Sequence, residues 1–171
     1  MLAALPLLGL LYRFTDELAE GGSIGLLMGA LCGLLTGYLI SANYPAALML
    51  GGVLVGLLLA DRFNTTVHRI GLGTAILAVL YLGTPIVPPV PTIILALASF
   101  GDQQLGGVRQ PYSIFADTNI VLNVFLVGYA ALGILTLNSI AAFILAELTY
   151  LLGGTLFGHK KGKRYSPGIG R

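Results

Sequence analysis

Tryptophan is absent from the 171 residues, cysteine occurs once, and Asp, Glu, Lys and Arg together make up only 9%. The lone Cys32 excludes a disulfide framework and any multi-cysteine zinc or iron–sulfur site. The shortage of charge excludes more. Soluble domains average roughly 25% charged residues, and a water-facing surface cannot be assembled from this composition. With a net charge of +2 and basic residues concentrated in the last segment, no nucleic-acid partner is expected.

What is abundant is apolar. Counting Gly and leaving out Tyr, roughly 65% of the chain qualifies, against about 45–50% in globular proteins. The expected solvent is therefore a lipid bilayer. At about 20 residues per span, the chain allows six or seven passes and no separate soluble domain. The expected architecture is all-α, a polytopic transmembrane helical bundle over residues 1–158. Residues 159–171 form a basic, disordered cytoplasmic tail. Met1 to Tyr12 lacks a basic leader segment and a small-residue cleavage site, so it reads as a retained first helix.

The composition places five helices before residue 101: Leu2 to Leu18, Ile24 to Ile40, Ala46 to Ala60, Ile70 to Gly83 and Thr92 to Phe100, separated by Gly, Pro, Asn or charged residues. Pro45 can open the third at its first turn, and Pro85, Pro88, Pro89 and Pro91 forbid continuation of the fourth. After a polar segment from Gly101 to Thr118 come 39 almost wholly apolar residues, Ile120 to Gly158. As one helix these would run about 58 Å, nearly twice the hydrocarbon thickness. Thr136-Leu137-Asn138-Ser139 divides them, with Asn138 or Ser139 as the new cap. Seven helices result, or six if the last two are one.

Seven helices sort the connections by side. Those at Ser41 to Pro45, Thr84 to Pro91 and Thr136 to Ser139 carry no charge. Every Lys and Arg falls at the other face, which the positive-inside rule makes cytoplasmic. An integral protein of the cell membrane is expected, its amino terminus outside and its tail inside. Lys160, Lys161, Lys163 and Arg164 would fix that topology and attract anionic lipid headgroups.

Gly21, Gly25, Gly29, Gly33 and Gly37 recur every four residues, overlapping G-x-x-x-G units that let a second helix approach backbone to backbone. Intramolecular packing is the expected use; a homo-oligomer seam or a docked membrane partner stays open. Glu147 is the intramembrane acid, a functional candidate because charge is costly there. If the last two helices turn near Leu137 and Asn138, it lies opposite Gly128 and Tyr129, whose hydroxyl would hold it, and Asn123 faces Gly153. Asp16, Glu17, Asp61 and Asp102 end helices on the charged side, and His68 joins them if the chain turns through Asn64-Thr65-Thr66. These oxygens and one imidazole suit a divalent metal, Mg²⁺, Mn²⁺ or Zn²⁺. The same charges read equally as a solvated, internally paired face, Arg13 reaching Asp16 and Glu17. Arg109 and Tyr112, on the long polar segment, are candidate ligands for a phosphate or lipid headgroup, and Asp117 or Thr118 caps the next helix.

The pattern Asp61-x6-His68-Arg69-x-Gly71 resembles part of the signature of integral-membrane, metal-dependent hydrolases. There an acidic motif ends one helix and a His-Arg-Gly segment opens the next. The resemblance covers about eleven residues and implies Asp61 and His68 as ligands and catalytic groups, with Arg69 beside them. The small, charge-poor chain is also similar to archaeal multi-pass membrane proteins of unassigned activity. Three readings follow. One is a hydrolase of phosphorylated lipids or amphiphiles with a cytosol-facing metal site. The second is an ion- or proton-coupled transporter using Glu147, and the third a non-catalytic membrane subunit or scaffold.

Overall fold

A computed structural model describes residues 3–18, 22–105 and 119–157, and the described residues contain helices and no strand. Among the described residues seven helices follow one another: α1 Ala4–Glu17, α2 Gly22–Ala42, α3 Tyr44–Leu59, α4 Thr66–Leu82, α5 Pro89–Leu105, α6 Ile120–Ala131 and α7 Leu137–Phe157. The all-α class is as expected. Two helices, Gly22–Ala42 and Leu137–Gly154, are long and apolar enough to cross a membrane. At 21 residues, α2 and α7 each run about 31 Å, matching a hydrocarbon core of roughly 30 Å.

The local chemistry sets the boundaries, and several differ from those expected. Asn43 caps α3, its side-chain oxygen accepting from Ala46 N at 3.2 Å with proline in the first turn. The fourth helix begins at Thr66, four residues before Ile70, because Thr65 accepts from His68 N at 3.2 Å and so starts it within the polar stretch. Pro89 and Pro91 end nothing; they stand in the first turn of α5, where a missing N–H costs no bond. The break between the last two helices precedes the expected one. Gly133, at φ 71°, closes α6, and Ile134 N returns to Tyr129 O at 2.8 Å. Thr136, not Asn138 or Ser139, caps α7: its hydroxyl accepts from Ser139 N at 3.3 Å.

Three helix pairs make the closest contacts, α2 with α4, α1 with α7, and α3 with α5. Each is parallel. Along α2, Gly29, Gly33 and Gly37 meet Val67, Gly71 and Ala75 in turn; along α3, Gly52 and Gly56 meet Leu95 and Ala96; and Gly9 and Arg13 of α1 meet Ala146 and Gly153 of α7. The intervening helices run back, so α1, α3 and α5 close at one end. Each pair is also bridged by a hydroxyl bonding to the partner's backbone: Thr74 to Ala30 O, Ser99 to Val53 O and Thr149 to Pro6 O, at 3.2, 3.5 and 2.7 Å. Such a bond can form only where small residues let the helices nearly touch.

The contacts run in a circuit, α1–α2–α3–α5–α6–α7 and back to α1, with α4 resting outside on α2. Leu5, Leu48, Met49, Leu95, Leu122 and Leu126 fill the centre. The outer surface is apolar as well: Ile24, Leu27, Leu77, Leu80, Val124 and Leu156 are each more than 60% exposed.

Candidate functional site

The site is built on the last turn and a half of α1. Arg13 and Glu17 stand one turn apart and pair, Nη2 to Oε1 at 2.6 Å. Asp16, between them, faces inward to two other helices. Its Oδ1 accepts from His68 Nε2 of α4 at 2.8 Å, and its Oδ2 accepts from the Tyr150 hydroxyl of α7. The Arg13 guanidinium lies over the Tyr150 ring, 5.5 Å from its centre. His68 reaches Asp16 because the glycine face of α2 lets α4 settle against it and because the Thr65 cap fixes the first turn of α4.

An ionised carboxylate only accepts hydrogen bonds, so against ionised Asp16 the donor is Nε2, and in the neutral ring Nδ1 keeps a lone pair. That Nδ1 is buried and has no hydrogen-bond partner. The ring lines a cleft among α1, α2, α3 and α4, walled by Tyr12, Thr15, Cys32, Leu54 and Phe63. Its volume, 20 Å³, accommodates about one water molecule and no larger group. Polar groups continue inward, Thr15 Oγ1 lying 3.1 Å from Cys32 Sγ and Tyr12 Oη 3.0 Å from Thr36 Oγ1.

A second polar cluster lies around the start of α6. Asp102, only 2% exposed, sends both carboxylate oxygens from α5 to the free N–H groups of Val121 and Leu122, at 2.9 and 2.8 Å. It caps a helix to which it does not belong, which the left-handed Asn119, at φ 41°, does not do with its own side chain. The Asn119 and Asn123 amides instead each donate to one oxygen of Glu147 at 2.7 Å. The two clusters meet on α7, where Glu147 and Tyr150 are one turn apart.

The structure therefore divides the residues read from the sequence. Asp16 and His68 come together. Glu17 is paired with Arg13. Asp61 is exposed at the close of α3, in the left-handed conformation at φ 53°, with Asp61 N bonded to Leu58 O and Arg62 N to Leu57 O. That is a helix-ending motif usually given to glycine. Asp102 is committed to the start of α6. Among the described residues no three His, Cys, Asp or Glu side chains are grouped to hold a metal ion. Asp16 and His68 are bonded to each other through Nε2, which leaves Nδ1 as the imidazole's one open donor. Arg69 is exposed beside His68, its Nε donating to Phe63 O at 3.0 Å.

Glu147 does not meet Gly128 and Tyr129; Tyr129 donates to Pro91 O of α5 at 2.9 Å. The earlier turn at Gly133 shifts the register of the final hairpin, so Asn123 meets Glu147 and not Gly153. Gly153 packs on Arg13 instead. Gly29, Gly33 and Gly37 lie against α4, while Gly25 meets Leu18 O and Val67. Arg109, Tyr112, Asp117, Thr118 and the tail lie outside the described residues. Tyr150 is the site residue that sequence reasoning missed. A polar tip one turn from Glu147 on an otherwise apolar helix was the available signal, and it names no partner. No family model, curated protein or solved structure matches the chain.

Proposed function

We propose that this chain is a polytopic membrane protein whose charged end faces the cytosol and that it hydrolyses a phosphorylated amphiphile there, with His68 as proton acceptor. Apolar side chains exposed on helix after helix and hydroxyl-to-carbonyl bonds between helices support the membrane reading. The observation that carries the chemistry is the buried, unpartnered Nδ1 of His68, on a ring oriented by Asp16 that lines a cleft of water size. A carboxylate that fixes the imidazole tautomer and steadies the imidazolium is the arrangement general-base catalysis requires.

The step is simple to balance. Nδ1 takes a proton from the cleft water as its oxygen attacks phosphorus. The phosphorus–oxygen bond to the alcohol breaks, and the imidazolium returns the proton to the departing alkoxide. The cleft cannot admit a headgroup, so the phosphate must approach from the boundary, where exposed Arg69 is placed to receive it. No step here runs through a metal: among the described residues no three donors are grouped to hold one.

The test uses purified protein in mild detergent with phosphatidic acid and a prenyl phosphate as probes. Phosphate release is expected, and His68→Gln should lower it about 100-fold or more. Release that His68→Gln leaves unchanged, or no release from either probe, overturns the reading. Single cysteines placed at Arg62 and at Thr136 in a Cys32→Ala background should label from opposite sides of sealed vesicles; labelling from one side would remove the membrane arrangement.

A further inference from the structure

We infer that Tyr150 is a positioning residue of this site, the third member of a Tyr150–Asp16–His68 relay that draws one side chain from each of three helices. The inference rests on the reading of His68 as proton acceptor. Asp16 has two oxygens and one rotatable carboxylate. Bonded to His68 alone, it could turn and offer either oxygen, or swing toward Arg13 one turn back. The Tyr150 hydroxyl occupies Oδ2 and so leaves Oδ1 for the imidazole. Nε2 is then held as the donor nitrogen and Nδ1 as the free base of the ring.

The phenol is itself over-determined. Immediately before it, Thr149 bonds to Pro6 O at 2.7 Å. One turn later, Gly153 admits the Arg13 side chain, against which an added Cβ would stand 2.9 Å from Cγ. One turn earlier, Glu147 is fixed by two amides at 2.7 Å. The height and rotation of α7 are thus set from both sides, on α1 and on α6. The Arg13 guanidinium over the ring adds a cation to the aromatic face. It withdraws electron density from the phenol and makes the hydroxyl a stronger donor to Asp16. Arg13 is kept there by its ion pair with Glu17.

A tyrosine serving only to fill space would act through its ring, and Tyr150→Phe keeps the ring. The decisive readout is the tautomer of His68. The chain has two histidines, so in a His159→Gln background ¹⁵N-histidine NMR reports His68 alone. The full-length protein in detergent micelles should show one Nε2-protonated tautomer at a pH where the ring is neutral. Tyr150→Phe should move a measurable share of the signal to the Nδ1-protonated form, and Asp16→Asn should move more. In phosphate release from the better of the two phosphorylated probes, Tyr150→Phe should lower kcat roughly tenfold, the low end of what a hydrogen bond to a charged acceptor is worth, with KM unchanged. Arg13→Gln, which leaves both bonds to Asp16 in place, should give a smaller fall in the same direction. An unchanged tautomer in Tyr150→Phe overturns the inference, as does a loss confined to KM. If the wild-type protein releases no phosphate, the proposed reaction fails by itself, and the tautomer measurement still decides the relay.

Discussion

Replacing Gly33 by alanine adds one methyl group at the tightest point of the α2–α4 contact. The new Cβ would stand 2.0 Å from the Gly71 carbonyl oxygen and 2.0 Å from Thr74 Oγ1. One of these is backbone and the other is enclosed by the Ile70, Gly71 and Ala30 carbonyl oxygens, any of which its single O–H can bond, at 3.0, 3.0 and 3.2 Å, so neither can step aside. The helix α4 must retreat by about 1 Å to reach ordinary contact. Overpacking of this kind costs about 1–3 kcal/mol, and loss of the Thr74 to Ala30 bond adds about 0.6 kcal/mol. The gain in helix propensity is small in lipid, where the separated helices stay helical. The sum, about 2–4 kcal/mol, should be read as a lower unfolding midpoint in a mild detergent titrated with SDS. Gly73→Ala is the control: nothing lies within 4 Å of its Cβ position, and its midpoint should stay within about 0.5 kcal/mol of wild type. Because α4 carries His68, Gly33→Ala should also weaken the bond to Asp16 and mix the His68 tautomers. A Gly33→Ala protein that unfolds with the wild type would refute the backbone-to-backbone contact and the placement of His68 with it.

Asp102→Asn leaves one oxygen for two N–H donors and turns an amide toward the other, so thermal unfolding should show a loss of about 1–3 kcal/mol; a wild-type melt would remove the cap supplied by α5. Glu147→Gln sets an NH₂ group against the Asn119 or Asn123 amide, and a similar loss of about 1–3 kcal/mol is expected, with intact stability counting against the clamp. Asp61→Gly should be neutral or stabilising by up to about 1–2 kcal/mol, since glycine has no penalty in the left-handed region. It should also leave phosphate release in place. Loss of release from a folded Asp61→Gly protein would return Asp61 to the reacting site.

Composition and punctuation are enough to give the seven helices of the described residues, because polar breaks in an apolar chain are few and each has a physical reason. The Asn43-Tyr44-Pro45 opening of α3 is local, a cap and a proline acting within four residues, and it reads directly. Thr65 is equally local, yet polarity hides it: a helix beginning in Thr66-Val67-His68-Arg69 does not announce itself as apolar. Gly133 was passed over for the more polar Thr136 to Ser139, and an error of a few residues there changed every pairing in the final hairpin. Pairings between distant helices are the part least written in one chain. Asp16 and Asp102 look alike as helix-end acids, and only tertiary placement makes one the partner of His68 and the other the cap of α6. Tyr150 could not be matched to Asp16 across 134 residues by any periodicity.

The tight pairs never join neighbours in the chain. While the protein is being synthesised, α2 and α3 must wait for the helix after next before their glycine faces are covered. The first helix waits longest, since Thr149 returns to Pro6 across 143 residues. A nascent chain halted before α7 would hold Asp16 and His68 but not the hydroxyl that secures them. The Asp16–His68 pair therefore gains its third member only after the ribosome has delivered α7.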